Sequence, residues 1–171
     1  MATKIPVGLG VNVATSDDAG GLRLNLFVLD LTNPQVIDAA TPNNGAAKLT
    51  APQVGDLLQI GVVPAGEVLV PQLCNLRVPI MDTNGSPTGS FQLGTLAVAN
   101  ALLGTTLVNA VGSSFGEDFT LTTGPIGADN ADTPIYMKWI AVVATLAVTG
   151  KLVFEQVTRP FSTPVDGAST S

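Results

Sequence analysis

Few residues of this 171-residue chain belong to the types that perform chemistry, and histidine is absent altogether. That absence removes the usual proton shuttle near neutral pH and the commonest nitrogen ligand for transition metals. It also excludes nucleophilic mechanisms that pair a serine or cysteine with histidine. The single cysteine, Cys74 in VPQLCNLRV, has no partner for an internal disulfide and nothing beside it to activate the thiol. It reads as a buried structural thiol, and its isolation fits synthesis in a reducing compartment.

The carboxylates are equally unpromising for catalysis. Glu117 and Asp118 are adjacent, so on a strand they point to opposite faces and cannot share one substrate. Glu67 and Glu155 lie beside or within predicted strands, far apart in sequence. DTNGSPTGSFQL, from Asp82, begins like a calcium loop but lacks the fifth-position oxygen ligand, the sixth-position glycine and the terminal glutamate. GADNADTP places Asp129, Asn130 and Asp132 in one loop, which reads as a solvated turn before it reads as a weak cation site. No catalytic residue, metal site or cofactor is expected.

Composition narrows the partners. Formal net charge is −6, and the Lys and Arg residues, seven in all, are scattered, whereas phosphate backbones select clustered cations. Nucleic acid is therefore not an expected partner. Charged residues make up 12% of the chain, about half the usual share, and apolar residues 46%. That balance suits a subunit whose surface is covered by neighbours. The N-terminal MATKIPVGLGVNV holds no apolar stretch of signal-peptide length, because Pro6, Gly8 and Gly10 interrupt it.

The elements that must position these residues are short runs of Val, Leu, Ile and Thr between Gly, Pro, Asn and Asp turns, the pattern of an all-β sandwich or barrel. Residues 1–20, ending in the glycine-rich break TSDDAGG, form a candidate arm; 21–160 form one β domain; 161–171 form a polar tail. LRLNLFVLDL at 22–31 alternates, with Leu22, Leu24 and Leu26 assigned to a buried face and Arg23 and Asn25 to the other. Residues 32–53 are a long loop rich in proline. PAGE at 64–67 is a turn, and Pro71 and Pro79 mark an edge, bulge or bend. LAVANALLG at 96–104 is the one helix candidate, capped by Gly104.

WIAVVATLAVTGKLVF, 139–154, is the most apolar stretch. Only twelve uncharged residues separate Lys138 from Lys151, against the ~20 a membrane helix needs. No membrane span is expected, and β-branching with the Gly150-Lys151 turn signal predicts two antiparallel strands joined near Thr149-Gly150. In the second strand Leu152, Phe154 and Gln156 share one face, and Val153, Glu155 and Val157 the other. Ile140 to Val148 are expected to be buried on both faces, by the opposing sheet and a neighbouring subunit.

VGDLLQIGVVPAGEVLVPQLCNLRV, SFQLGTL and VTGKLVFEQVTR occur in an order that resembles the capsid decoration, or cement, proteins of tailed bacteriophages. The matching residues are Gly55-Asp56, Gly61, Pro64-Ala65-Gly66, Leu93-Gly94 and Gly150, within residues 54–160. The resemblance implies a jelly-roll-like antiparallel β-sandwich with no enzymatic activity. It further implies a homotrimer that stabilises the outer surface of a phage head by bridging major capsid protein subunits, made in the host cytoplasm. Residues 1–53 have no counterpart in that pattern. Candidate assembly contacts are Lys4, Ile5, Val7, Leu9, Val11 and Val13 in the arm, Val36 and Ile37 in the loop, and Trp139. A receptor- or carbohydrate-binding β-sandwich of a phage fibre or cell surface is the alternative, and it requires Trp139 in an open cleft.

Overall fold

The computed structural model describes residues 10–11, 21–30, 54–55, 57–78, 89–107, 113–114, 119–141 and 151–161. Among the described residues ten strands run in chain order: β1 Gly10–Val11, β2 Arg23–Asp30, β3 Leu57–Val63, β4 Glu67–Leu69, β5 Asn75–Val78, β6 Ser90–Gly94, β7 Leu103–Leu107, β8 Ser113–Ser114, β9 Thr133–Ala141 and β10 Lys151–Pro160. They build two antiparallel sheets. One has the order β1-β2-β10-β5-β8, with β4 also on β10, and the other β3-β9-β6-β7. The all-β sandwich expected from the sequence is present, and among the described residues no helix is long and apolar enough to cross a membrane.

Each central strand owes its place to a clean inward face. In β10 Leu152, Phe154, Gln156 and Thr158 are buried, as its alternation predicts. In β9 Ile135, Met137 and Trp139 point inward, Trp139 at 1% exposure. Leu58, Ile60, Phe91 and Leu93 from the flanking strands and Leu76 and Leu29 from the opposite sheet complete one core. Phe154 is its centre, stacked on Phe27 at 6.4 Å and met edge-on by Phe119 at 6.3 Å.

The predicted 149–150 hairpin is not formed between these strands: β9 pairs with β3 and β6, β10 with β2, β4 and β5. The chain changes sheet within 142–150, outside the described residues, so the inward faces of β9 and β10 meet across the core. Of the 140–148 run, Ile140 and Ala141 are described, and both are half-buried. The helix candidate is also overturned. Residues 95–102 are a loop that folds onto Gly94, where an added Cβ would lie 2.2 Å from the Val98 carbonyl oxygen. Its end returns to the sheet through Leu102 N–H to Leu93 O, 2.9 Å, and Gly104 sits in β7. A nine-residue segment has little helical stability of its own, and burying Leu102 and Leu103 in the core prevails.

The faces of β2 are the reverse of the expectation. Leu152 stands opposite Leu29, Phe154 opposite Phe27, Gln156 opposite Asn25 and Thr158 opposite Arg23. Directly opposed residues share a face, so Arg23, Asn25, Phe27 and Leu29 line the inside, and Leu24, Leu26 and Val28 lie outside.

PAGE forms the predicted turn, closed by Glu67 N–H to Pro64 O with Gly66 at φ +74°. It carries the chain from one sheet to the other. Pro71 opens a single 3₁₀ turn, Pro71–Leu73, that separates β4 from β5, both of which pair with β10. Pro79 and the 32–53 loop lie outside the described residues.

Candidate functional site

The polar groups that might have carried chemistry are held by structural partners. The buried Glu67 carboxylate takes the Arg23 guanidinium on one oxygen and the Thr158 hydroxyl on the other. Three strands, β2, β4 and β10, are thereby tied at one end of the sandwich. On the outer face of the same sheet Glu155 pairs with Arg77 at 3.2 Å and accepts from the Asn75 amide at 3.3 Å. The two carboxylates face opposite sides of one sheet and cannot act together.

Cys74 fills the ladder gap left by the 3₁₀ turn. Val157 N–H donates to its Sγ at 3.3 Å, and the thiol donates to Val70 O at 3.3 Å. Burial pushes its pKa from the ordinary 9.0 up to about 11, partly offset by the Val157 bond. The thiolate is suppressed, the opposite of an activated nucleophile. Gln156, fully buried, reaches across the core to Val62 O at 2.6 Å and links the sheets, leaving its Oε1 without a partner. Gly61 makes room for it, since a Cβ there would lie 2.9 Å from that oxygen and 2.8 Å from Phe154.

Two surface features remain. The first is the outer face of the six-stranded sheet. Leu24, Leu26 and Val28 on β2 stand opposite Val157, Glu155 and Val153 on β10. All six are half-buried, and Leu22, 38% exposed, continues the row. An apolar outer row on a strand whose other row already faces the core through Phe27 and Leu29 is unusual for a free surface. Polar residues rim it: Arg77 beside Glu155, and Lys151 opposite Asp30.

The second is a groove of about 560 Å³ at the end of the other sheet. Leu96, Pro125, Pro134 and Tyr136 contribute apolar lining, and Asp129 and Asp132 give it negative charge. The loop carrying the acids is pinned to the 64–67 turn by Gly66 N–H to Asp129 O, 2.8 Å, and Ala65 N–H to Asp132 Oδ1, 3.0 Å. Gly127, at φ +94°, allows the close approach, for a Cβ there would lie 2.3 Å from Glu67 O. Tyr136 is 6% exposed. Burial raises its pKa, keeping it a neutral donor. Among the described residues no three His, Cys, Asp or Glu side chains are grouped to hold a metal.

Of the predicted contact residues, Lys4, Ile5, Val7, Leu9, Val13, Val36 and Ile37 lie outside the described residues, as does the loop beginning at Asp82. Val11 is in β1, opposite Leu26 of β2. Trp139 is in the core rather than an open cleft, so it offers no platform for a sugar. Sequence reasoning missed Leu24, Leu26 and Val28 as outward residues. The signal was there in LRLNLFVLDL, apolar at even and odd positions alike from Leu26 to Leu29.

No protein-family model matches the chain, and no curated protein resembles it in sequence. Solved structures do resemble it. A chain of the capsid of Ralstonia phage GP4 matches with a TM-score of 0.56 and 18% identity, over 91% of this chain and 95% of that one. A chain of the cyanophage Pam1 capsid asymmetric unit matches with a TM-score of 0.51 and 15% identity, over 88% and 92%. At these identities the likeness is one of fold, and it extends along most of the length: this chain is similar in fold to chains of two phage capsids.

Proposed function

We propose that the chain is a structural protein of a tailed-phage head, one that decorates the outer surface of the capsid and stabilises it by bridging major capsid protein subunits. The observation that carries this is the half-buried apolar row Leu24, Leu26 and Val28, with Val153 and Val157, on the outer face of a sheet whose inner face already forms the core. The fold likeness to capsid chains supplies the setting. The mechanism is burial of that face against the shell, with no chemical step. At about 25 cal/mol per Å² removed from water, covering such a row contributes several kcal/mol per copy before the cost of association is counted. Many copies on one shell then add by avidity. Self-association as a homotrimer, and absence of nucleic acid or membrane partners, belong to the same proposal.

The test is sedimentation of the purified chain with shells of the encoding phage assembled without it. The native chain is expected to sediment at saturable stoichiometry, and Leu26→Asp to reduce shell affinity at least about tenfold, since a charge is then buried unpaired. Leu26→Asp must retain the native unfolding transition. Equal binding by both, or none by the native chain, would contradict the proposal.

A further inference from the structure

The pairing of β3 departs from what its own residues favour. In LLQIGVV, residues 57–63, strict alternation puts Leu58, Ile60 and Val62 on one face and Gln59 and Gly61 on the other. An uninterrupted ladder would therefore turn Ile60 and Val62 toward the core. Leu58 does stand opposite Met137 and Gln59 opposite Tyr136, but the next residue to pair is Gly61, opposite Ile135, followed by Val62 opposite Pro134 and Val63 opposite Thr133. Ile60 is the extra residue of a β-bulge, buried at 1% exposure. Beyond it the faces exchange, so that Gly61 and Val63 share the inner face with Ile135 and Val62 takes the outer one.

Two residues of the opposite sheet account for the bulge. A Cβ at Gly61 would lie 2.8 Å from Phe154 Cδ1 and 2.9 Å from Gln156 Oε1, so the place opposite Ile135 has no room for a side chain, least of all isoleucine. The Gln156 amide also donates to Val62 O at 2.6 Å, a carbonyl whose ladder partner, Pro134, has no N–H to give. Without the bulge Gly61 would face Pro134 and offer its own carbonyl there, so the hydrogen bond does not discriminate between registers; the filled space does. The choice matters beyond β3. The bulge takes up one residue, about 3.3 Å of strand, ahead of the 64–67 turn. That turn bonds the 126–132 loop through Ala65 N–H to Asp132 Oδ1 and Gly66 N–H to Asp129 O, and it places Glu67 against Arg23 and Thr158.

We propose that β3 has two usable registers, that Gln156 together with Phe154 locks it in the bulged one by filling the space opposite Ile135, and that undoing the lock frees the 64–67 turn from the 126–132 loop. Two variants of the full-length chain attack the lock from opposite sides. Gln156→Ala empties the space, whereas Ile60→Gly keeps Gln156 and gives the unbulged register a residue without Cβ to put there. In NMR spectra of isotopically labelled protein each is expected to show a second set of signals for residues 57–67, in which residue 60 rather than Gly61 has its cross-strand contact with Ile135, with loss of amide protection at Gly66. Gln156→Met fills the same space without the amide and is expected to give one set, with Gly61 opposite Ile135. Should Gln156→Ala fail to fold, Ile60→Gly decides, because it leaves the opposite sheet intact. A single bulged set of signals in Ile60→Gly or in folded Gln156→Ala would overturn the inference, as would a second register in Gln156→Met.

Discussion

Cys74 shows how a reactive residue type becomes structural. Its thiol stands where β10 would otherwise lack a backbone partner, between β4 and β5, and burial holds it neutral up to a pKa of about 11. The consequence for stability has a definite sign. Above pH 9 the unfolded thiol releases its proton while the folded one keeps it, so the native state loses stability as pH rises toward 11. The full loss amounts to about 3 kcal/mol and is absent below pH 9. Other groups titrate in the same range, Tyr136 with the same sign, so the informative quantity is a difference. Urea unfolding of the native chain and Cys74→Ala should show the native advantage shrinking between pH 8 and 11. A constant advantage would mean that the thiol is not the titrating group. That Cys74 is buried was legible from its apolar surroundings and the absence of histidine. That it bonds Val157 was not, because the contact spans 83 residues.

At the scale of elements, Arg23, Glu67 and Thr158 hold β2, β4 and β10 together across the end of the sandwich that also bears the groove. Glu67 is buried while Arg23 is largely exposed, so the two ends of the ion pair are not equivalent. Arg23→Ala strands a buried carboxylate with one hydroxyl partner and should cost about 3 kcal/mol. Replacing the pair together, Arg23→Met with Glu67→Leu, should cost less than Arg23→Ala alone, because no buried charge is left. Chemical denaturation of the native chain and the two variants decides this; a double variant as destabilised as Arg23→Ala, or more so, would contradict it.

What the sequence revealed about the elements follows the same logic. β10 was legible face by face because its alternation is strict: Leu152, Phe154 and Gln156 inside, Val153 and Glu155 outside. β2 misled because its inner row begins with the polar Arg23 and Asn25 before Phe27 and Leu29, and only the register with β10 decides which row is inside. The Gly150-Lys151 turn signal suggested a hairpin, yet which sheet a strand joins is a tertiary choice. Ala and Leu at 96–103 favoured a helix by propensity, and the open backbone of Gly94 with two buried leucines outweighed it.

For the whole molecule, the low charge content pointed to a covered surface, and the outer face of the six-stranded sheet supplies a specific candidate. The groove was not legible at all. Its walls come from three separated segments, 95–101, 123–129 and 132–136, brought together by the loop over Gly94 and the pinned 127–132 turn. The most direct test is an electron cryomicroscopy reconstruction of the virion of the encoding phage. It should show the sandwich on the outside of the capsid, with Leu24, Leu26 and Val28 pressed against the shell. Absence of the chain from the particle, or that face turned to solvent, would contradict the account.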